Sequence, residues 1–239
     1  MARAESDGAW TAVGADKREA VRSLFGDIAG RYDLLNSAMS LRLHHRWRAE
    51  AVRMLSLSPG DCVADICCGT GDFAPPIRRD VGPAGMVIGI DFCLPMLRKG
   101  LEKAVPMSLS MGDACDLPLA SASFDAVTIG WGLRNVADLD KALREIRRIL
   151  KPRGRFVSAD MARPQNPMMR VVSGAFFSTV APAVGALFGN RNAYKYLPQS
   201  TDRFASRENQ VAAIRRAGFS DAGYKDMFFG NICIHWGEV

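Results

Sequence analysis

Six cysteines and three histidines are scattered through 239 residues with no CxxC pair and no histidines at metal-ligand spacing, so no metal centre is expected. Vicinal Cys67 and Cys68 cannot bridge each other without strain, and the cysteines read as small, buried, reduced residues of a cytoplasmic protein. Residues Met1 to Gly14 lack an apolar core, which argues against a secretory leader; residues 1–16 are expected to form a disordered extension. Charge of one sign is not concentrated either. The formal net charge is +6, but Arg46, Arg48 and Arg53, like Arg144, Arg147 and Arg148, alternate with acids as solvated helix faces do. A docking face for anionic lipid or an acidic partner is the alternative reading. The one long uncharged run, Val171 to Gly189, is diluted by Gly174, Gly185, Ser173, Thr179 and Pro182, which argues against a membrane span. A buried or lid-forming helix pair, or a peripheral membrane contact, is expected instead. Repeats and low-complexity stretches are absent.

What is present centres on Asp65-Ile66-Cys67-Cys68-Gly69-Thr70-Gly71-Asp72, where an apolar strand runs into a turn of small residues. A second strand ends on Asp91, about 20 residues after the turn, the interval of a βαβ nucleoside site in which an acid meets a ribose diol. Gly69 and Gly71 would let backbone approach a ligand. The loop is not a dinucleotide fingerprint, since Cys67 replaces the first glycine and Asp72 would repel a pyrophosphate. A cationic cofactor without phosphate suits it, and acid-x-small-x-Gly-x-Gly is the form the loop takes in S-adenosylmethionine methyltransferases. Taken alone, such a turn can also be purely structural.

The hydropathy pattern predicts strands at Cys62–Ile66, Met86–Ile90, Met107–Met111, Ala126–Ile129 and Arg155–Asp160, and a closing hairpin of Tyr224–Phe229 with Asn231–Trp236 around Gly230. Helices are expected over Lys17–Leu24, within Asn36–Met54, over Leu139–Leu150, stopped by Pro152 and Gly154, and over Glu208–Ala217. Phe25 to Asp33 reads as an aromatic-polar link. Alternation of strands and helices ending in a hairpin gives an α/β, doubly wound, Rossmann-like sheet, mostly parallel, with an antiparallel C-terminal hairpin strand. The expected organisation is one domain over 1–239, with N-terminal helices (17–56), a cofactor-binding core (57–164), an apolar lid insertion (165–205) and a C-terminal helix and hairpin (206–239).

Ligands bind such sheets outside the carboxyl ends of the strands. Asp113 is placed for an amino group of a base, with a simple turn acid as the alternative. The loop Gly130-Trp131-Gly132-Leu133-Arg134-Asn135-Val136 lacks the Asn/Asp-Pro-Pro-aromatic signature of nucleic-acid amino methyltransferases and the Pro-Cys of cytosine-C5 enzymes, so no nucleic-acid substrate is expected.

The chain also holds Phe25-Gly-x-Ile-Ala-x-Arg-Tyr-Asp-Leu-Leu-Asn36, Arg46-Trp47-Arg48, Leu150-Lys-Pro152 and Tyr196-Leu-Pro-x-Ser200. With Asp65 to Asp72 and Gly132 to Val136, these motifs make it resemble the C-methyltransferases of menaquinone and ubiquinone biosynthesis over nearly everything after residue 17. The resemblance implies S-adenosylmethionine as cofactor, held by Asp65, Gly69, Thr70, Gly71, Asp91, Phe92, Asp113, Ala114 and Gly130, although Gly130 stands where the family often has a hydroxyl. It also implies that Tyr32, Arg134 and Asn135 face a prenylated quinol, most naturally demethylmenaquinol. A ubiquinone-pathway benzoquinol, another small aromatic such as a polyketide phenol, and a non-catalytic cofactor-binding subunit are the competing expectations. The uncharged run, with Leu41, Leu43 and Trp47, would cover the tail at the inner face of a membrane, and a homodimer is compatible with all of this.

Overall fold

The computed structural model describes residues 14–180, 200–201 and 204–239. Three helices lead the chain: α1 (Gly14–Ile28), α2 (Tyr32–Ser40) and α3 (Leu43–Met54). There follow β1 (Cys62–Ile66), α4 (Ala74–Val81), β2 (Met86–Asp91), α5 (Leu94–Glu102), β3 (Ser108–Met111), β4 (Phe124–Gly130), α6 (Leu139–Ile149) and β5 (Leu150–Met161). The remaining described elements are α7 (Pro167–Ala175), α8 (Arg207–Arg216), β6 (Asp221–Met227) and β7 (Ile232–Glu238). The strands form one seven-stranded sheet in the order β3-β2-β1-β4-β5-β7-β6, parallel except for β7, which runs antiparallel to both β5 and β6. This is the doubly wound sheet with a closing hairpin that the sequence predicts.

Central strands carry apolar side chains on both faces because helices cover both. On one face Ile66, Val127, Ile129 and Phe156 meet Leu143, Ile146 and Ile149 of α6 and Ile214 of α8. On the other, Val63, Val87, Val157 and Ile234 meet Ala51 and Val52 of α3 and Ile77 of α4. Each fully buried Ile or Leu contributes about 1.5–3 kcal/mol. Helix starts follow local chemistry: the Asp138, Asn166 and Ser206 side chains accept amides of the first turns of α6, α7 and α8, each cap contributing about 1 kcal/mol.

Three expectations need correcting. The first helix begins at Gly14, inside the stretch read as a disordered extension, and runs to Ile28. The Phe25–Asp33 link is itself helical, a 3₁₀ turn at Ala29–Arg31 passing into α2, because Ile28 and Leu35 must share one apolar cluster. Pro152 and Gly154 do not separate α6 from the next strand, since β5 starts at Leu150 and the irregularity falls in its pairing with Phe124 and Ala126. Residues 181–199 lie outside the described residues; they include residues 181–189 of the uncharged run and Tyr196 to Pro198. No described helix is long and apolar enough to cross a membrane.

Candidate active site

The sheet order changes direction between β1 and β4, and the loops leaving these two strands touch. A Cβ added to Gly132 would lie 2.6 Å from the Cβ of Cys67, so glycine at 132 is what lets the loops close. Both carry strain: Cys67 (φ 54°) and Trp131 (φ 55°) are left-handed without being glycine, a conformation that costs about 1–3 kcal/mol and gathers at functional sites. Both line a cavity at the carboxyl ends of the strands, together with Gly69, Asp91, Asp113 and Asn135.

Asp91 ends β2 with both carboxylate oxygens engaged: Oδ2 accepts the Gly69 amide and Oδ1 the Cys93 amide, each at 2.8 Å. It thereby fixes the glycine turn, in which Gly69 and Gly71 are left-handed (φ 57° and 82°). Phe92, Ala114 and Gly130 also border the cavity. Asp113 Oδ1 accepts the Cys115 amide, while Oδ2 accepts Arg18 of α1 at 2.9 Å, so α1 closes over this end of the cavity; Lys17 adds a bond to the Val136 carbonyl at 2.7 Å.

Three residues expected at the cofactor stand back from the cavity. Gly71 has Val105, not a ligand, where a Cβ would be, at 2.9 Å. Thr70 is 1% exposed; its hydroxyl donates to Asp33 at 2.6 Å and accepts from Lys103. Asp65 is buried within β1 and accepts the Thr128 hydroxyl at 2.7 Å, leaving its other oxygen without a partner. Gly130 makes room for a protein ring rather than for a hydroxyl, since a Cβ there would meet Phe73 at 2.4 Å. Gly130→Ser is therefore expected to destabilise the protein by about 1–3 kcal/mol, and to cost less than that in a chain already carrying Phe73→Leu; thermal melting of the two single variants and the double variant checks this.

The site is acidic, and Asp65 and Asp91 are buried. Burial pushes Asp65 up to about 7, with the Asp91 and Asp72 charges adding to the rise, and burial pushes Asp91 up to about 6. A cavity bordered by Asp91 and Asp113 fits a cationic ligand. A ligand that donates hydrogen bonds to Asp91 favours its charged form, so binding releases a proton below pH 6. Cofactor affinity is expected to fall about tenfold from pH 7 to pH 5; titration calorimetry in buffers of different ionisation enthalpy reads the released proton directly.

Arg134, 7% exposed, forms a buried ion pair with Asp160 at the end of β5 and donates through Nε to the Ser200 hydroxyl at 3.3 Å. It borders a neighbouring cavity with Leu139, Ser200 and Phe204; Asn135 borders both cavities and donates to the Trp131 carbonyl at 3.0 Å. Tyr32 lines the first cavity, its ring packed with Phe25, Cys93 and Met96. Burial raises its phenol against the pull of Arg48 and of a hydrogen bond to Asn36.

Arg48 corrects the reading of its helix as a solvated face. It is 5% exposed, paired with Asp72 at 3.4 Å and hydrogen-bonded to His44, whose imidazole burial lowers to about 4 and so keeps neutral. Asp72 also accepts Lys103 at 2.8 Å, and these cations hold its carboxyl low despite burial. The signal was in the sequence: His44, Trp47, Arg48, Ala51, Val52 and Leu55 keep helical spacing, and all six are buried.

The chain matches the ubiE/COQ5 methyltransferase family over residues 12–238. It belongs to that family. A demethylmenaquinone methyltransferase of Desulfitobacterium hafniense is 37% identical, the match covering 92% of this chain and 90% of the relative. The ubiquinone/menaquinone biosynthesis C-methyltransferase UbiE of Geobacter sulfurreducens is 37% identical over 93% of this chain and 90% of its own length. Among solved structures, a Haloferax volcanii methyltransferase in complex with the Trm112 activator superposes with a TM-score of 0.65 at 20% identity, covering 90% of this chain and 96% of that one. An S-adenosylmethionine-dependent methyltransferase from Thermotoga maritima gives 0.64 at 20% identity, covering 91% and 99%. These likenesses show the fold. As a member of the ubiE/COQ5 family the chain is an S-adenosylmethionine-dependent methyltransferase, and the acidic cavity beside Gly69 fits that cofactor's cationic sulfonium.

Proposed function

We propose that the protein methylates a ring carbon of a prenylated quinol, converting demethylmenaquinol to menaquinol. The observation that carries the reading is the loop after β4: Trp131 and Asn135 line the cavity that Gly69, Asp91 and Asp113 also line, and Arg134 borders the neighbouring cavity, which shares Asn135. Asp91, at the end of β2, would accept the ribose hydroxyls, and Asp113 and the Ala114 amide would hold the adenine once Asp113 is released by Arg18. Gly69 and Phe92 line the nucleoside, and Asp65, Thr70, Gly71 and Gly130 shape the loops rather than touch it.

S-adenosylmethionine, when bound, supplies an electrophilic methyl group on a sulfonium. The protein's own task is to align the acceptor carbon with that methyl and to manage the ring proton. Arg134 cannot take a proton, because a guanidinium stays charged. It orients the oxygen beside the accepting carbon, or a water there, and stabilises developing negative charge, while Tyr32 and Asn135 complete the hydrogen-bonded set. The tail lies toward the neighbouring cavity, where Leu133, Leu139 and Phe204 are apolar. The exposed Met168, Val171, Val172 and Phe176 of α7 and the turn after it support a peripheral contact with the membrane that holds such a substrate.

Incubation with methyl-labelled S-adenosylmethionine and anaerobically reduced demethylmenaquinone tests the reading. Label is expected in the naphthoquinol, with less in a benzoquinol counterpart and none in a polyketide phenol. Cofactor binding without transfer to any quinol would overturn it. Tail-less quinols are expected to bind more weakly than prenylated ones, and equal affinity would remove the tail from recognition.

A further inference from the structure

Trp131 is held more firmly than a loop tryptophan needs to be. Its amide donates to the Ala159 carbonyl at 2.7 Å, its carbonyl accepts the Asn135 amide at 3.0 Å, and its backbone is left-handed. One face of its indole is covered by the Arg48 guanidinium, 4.5 Å from the ring centroid, and Trp47 stands beside it at 6.4 Å. Trp131 also borders the cavity.

Arg48 is itself locked. One terminal nitrogen bonds the His44 ring and carbonyl, the other approaches Asp72, and the Phe73 ring lies 5.7 Å from its carbon. Nε is buried without a hydrogen-bond partner. A buried guanidinium with an unused donor is a costly way to brace a helix; its remaining large contact is the indole.

A cation on one face of an indole draws the ring's π density toward itself. The opposite face then presents less negative charge, which relieves the repulsion that two electron-rich rings feel when stacked and weakens the attraction for an electron-poor one. Quinols are electron-rich; quinones are electron-poor. Methylation at carbon needs the former, so a site that binds the oxidised form equally well would be inhibited by it.

We propose that Trp131 is the platform on which the acceptor ring stacks and that Arg48, behind it, is the positioning residue that biases the platform toward the reduced ring. The inference rests on the quinol reading above and adds to it the residues that select the redox state.

The test uses the full chain with S-adenosylhomocysteine bound, so that no turnover occurs, and a naphthoquinone carrying one isoprene unit, titrated anaerobically in its reduced and its oxidised form by calorimetry. Wild type is expected to prefer the quinol by about fivefold. Arg48→Met should bring that ratio to about one, while Arg48→Lys, which keeps the charge, should retain a preference, each with cofactor affinity within about twofold of wild type. A wild-type ratio in Arg48→Met would overturn the proposal. Should that variant fail to fold, Trp131→Leu decides: both ring forms are expected to weaken by about tenfold with the ratio lost, and unchanged ring affinity overturns the proposal. Failure of the quinol reading itself would look different, since wild type would bind S-adenosylhomocysteine and neither ring form, and both proposals would fall together.

Discussion

Arg134→Ala is expected to lower kcat by about 10²–10³-fold, the effect of removing one preorganised, buried donor, with cofactor affinity within about twofold of wild type. It should also lower stability by about 3–5 kcal/mol, because the variant leaves the Asp160 carboxylate buried without its partner. The two effects separate in a second variant. Arg134→Ala with Asp160→Asn removes the orphaned charge, so the melting temperature should recover while kcat stays low. Turnover near wild type in either protein would take Arg134 out of the chemistry and leave it a structural half of an ion pair. Recovery of activity along with stability would say that the loop's position, not the guanidinium, was what catalysis needed.

That coupling of fold and function marks the boundary of what the sequence made legible. Strands β1 and β4 could be read because apolar runs end in glycine turns, β2 because its apolar run follows the Gly82–Gly85 turn and ends on an acid, and β7 because a second apolar run follows Gly230; these signals are local. The acids at the strand ends followed from the same reasoning, since topology alone puts Asp91 and Asp113 at one rim. The partner of each charge was not legible. Arg48 looks like its neighbours Arg46 and Arg53, which are exposed, until the helical spacing is tied to an apolar core on one side. Asp160 reads as a strand end until the 3₁₀ turn Leu133–Asn135 brings Arg134 against it. Gly130 illustrates the opposite error: a residue read as a missing hydroxyl proves to be a space already filled by Phe73, which lies 57 positions earlier and carries no pattern linking the two.

The second large effect concerns the residue that joins the glycine turn to the ligand. Asp91→Asn preserves shape but turns one acceptor into a donor, and both oxygens of Asp91 already face backbone amides. One of those N–H groups would be left facing an NH₂ inside a site where the carboxylate is 7% exposed. An unpaired buried donor costs about 1–3 kcal/mol of stability in the free and the bound protein alike, whereas loss of a charge-assisted bond to the ribose weakens cofactor binding by about 1.5–3 kcal/mol. Cofactor Kd should therefore rise about 10- to 10²-fold, with kcat at saturating cofactor changed far less, since the interaction is made equally before and during methyl transfer. Loosening of the turn alone could weaken binding, so the decisive measurement is a cycle with a 2′-deoxyribose analogue of S-adenosylhomocysteine. Wild type should discriminate strongly against the analogue and Asp91→Asn should not. If both proteins discriminate equally, Asp91 braces the turn and the ribose diol is held by another group.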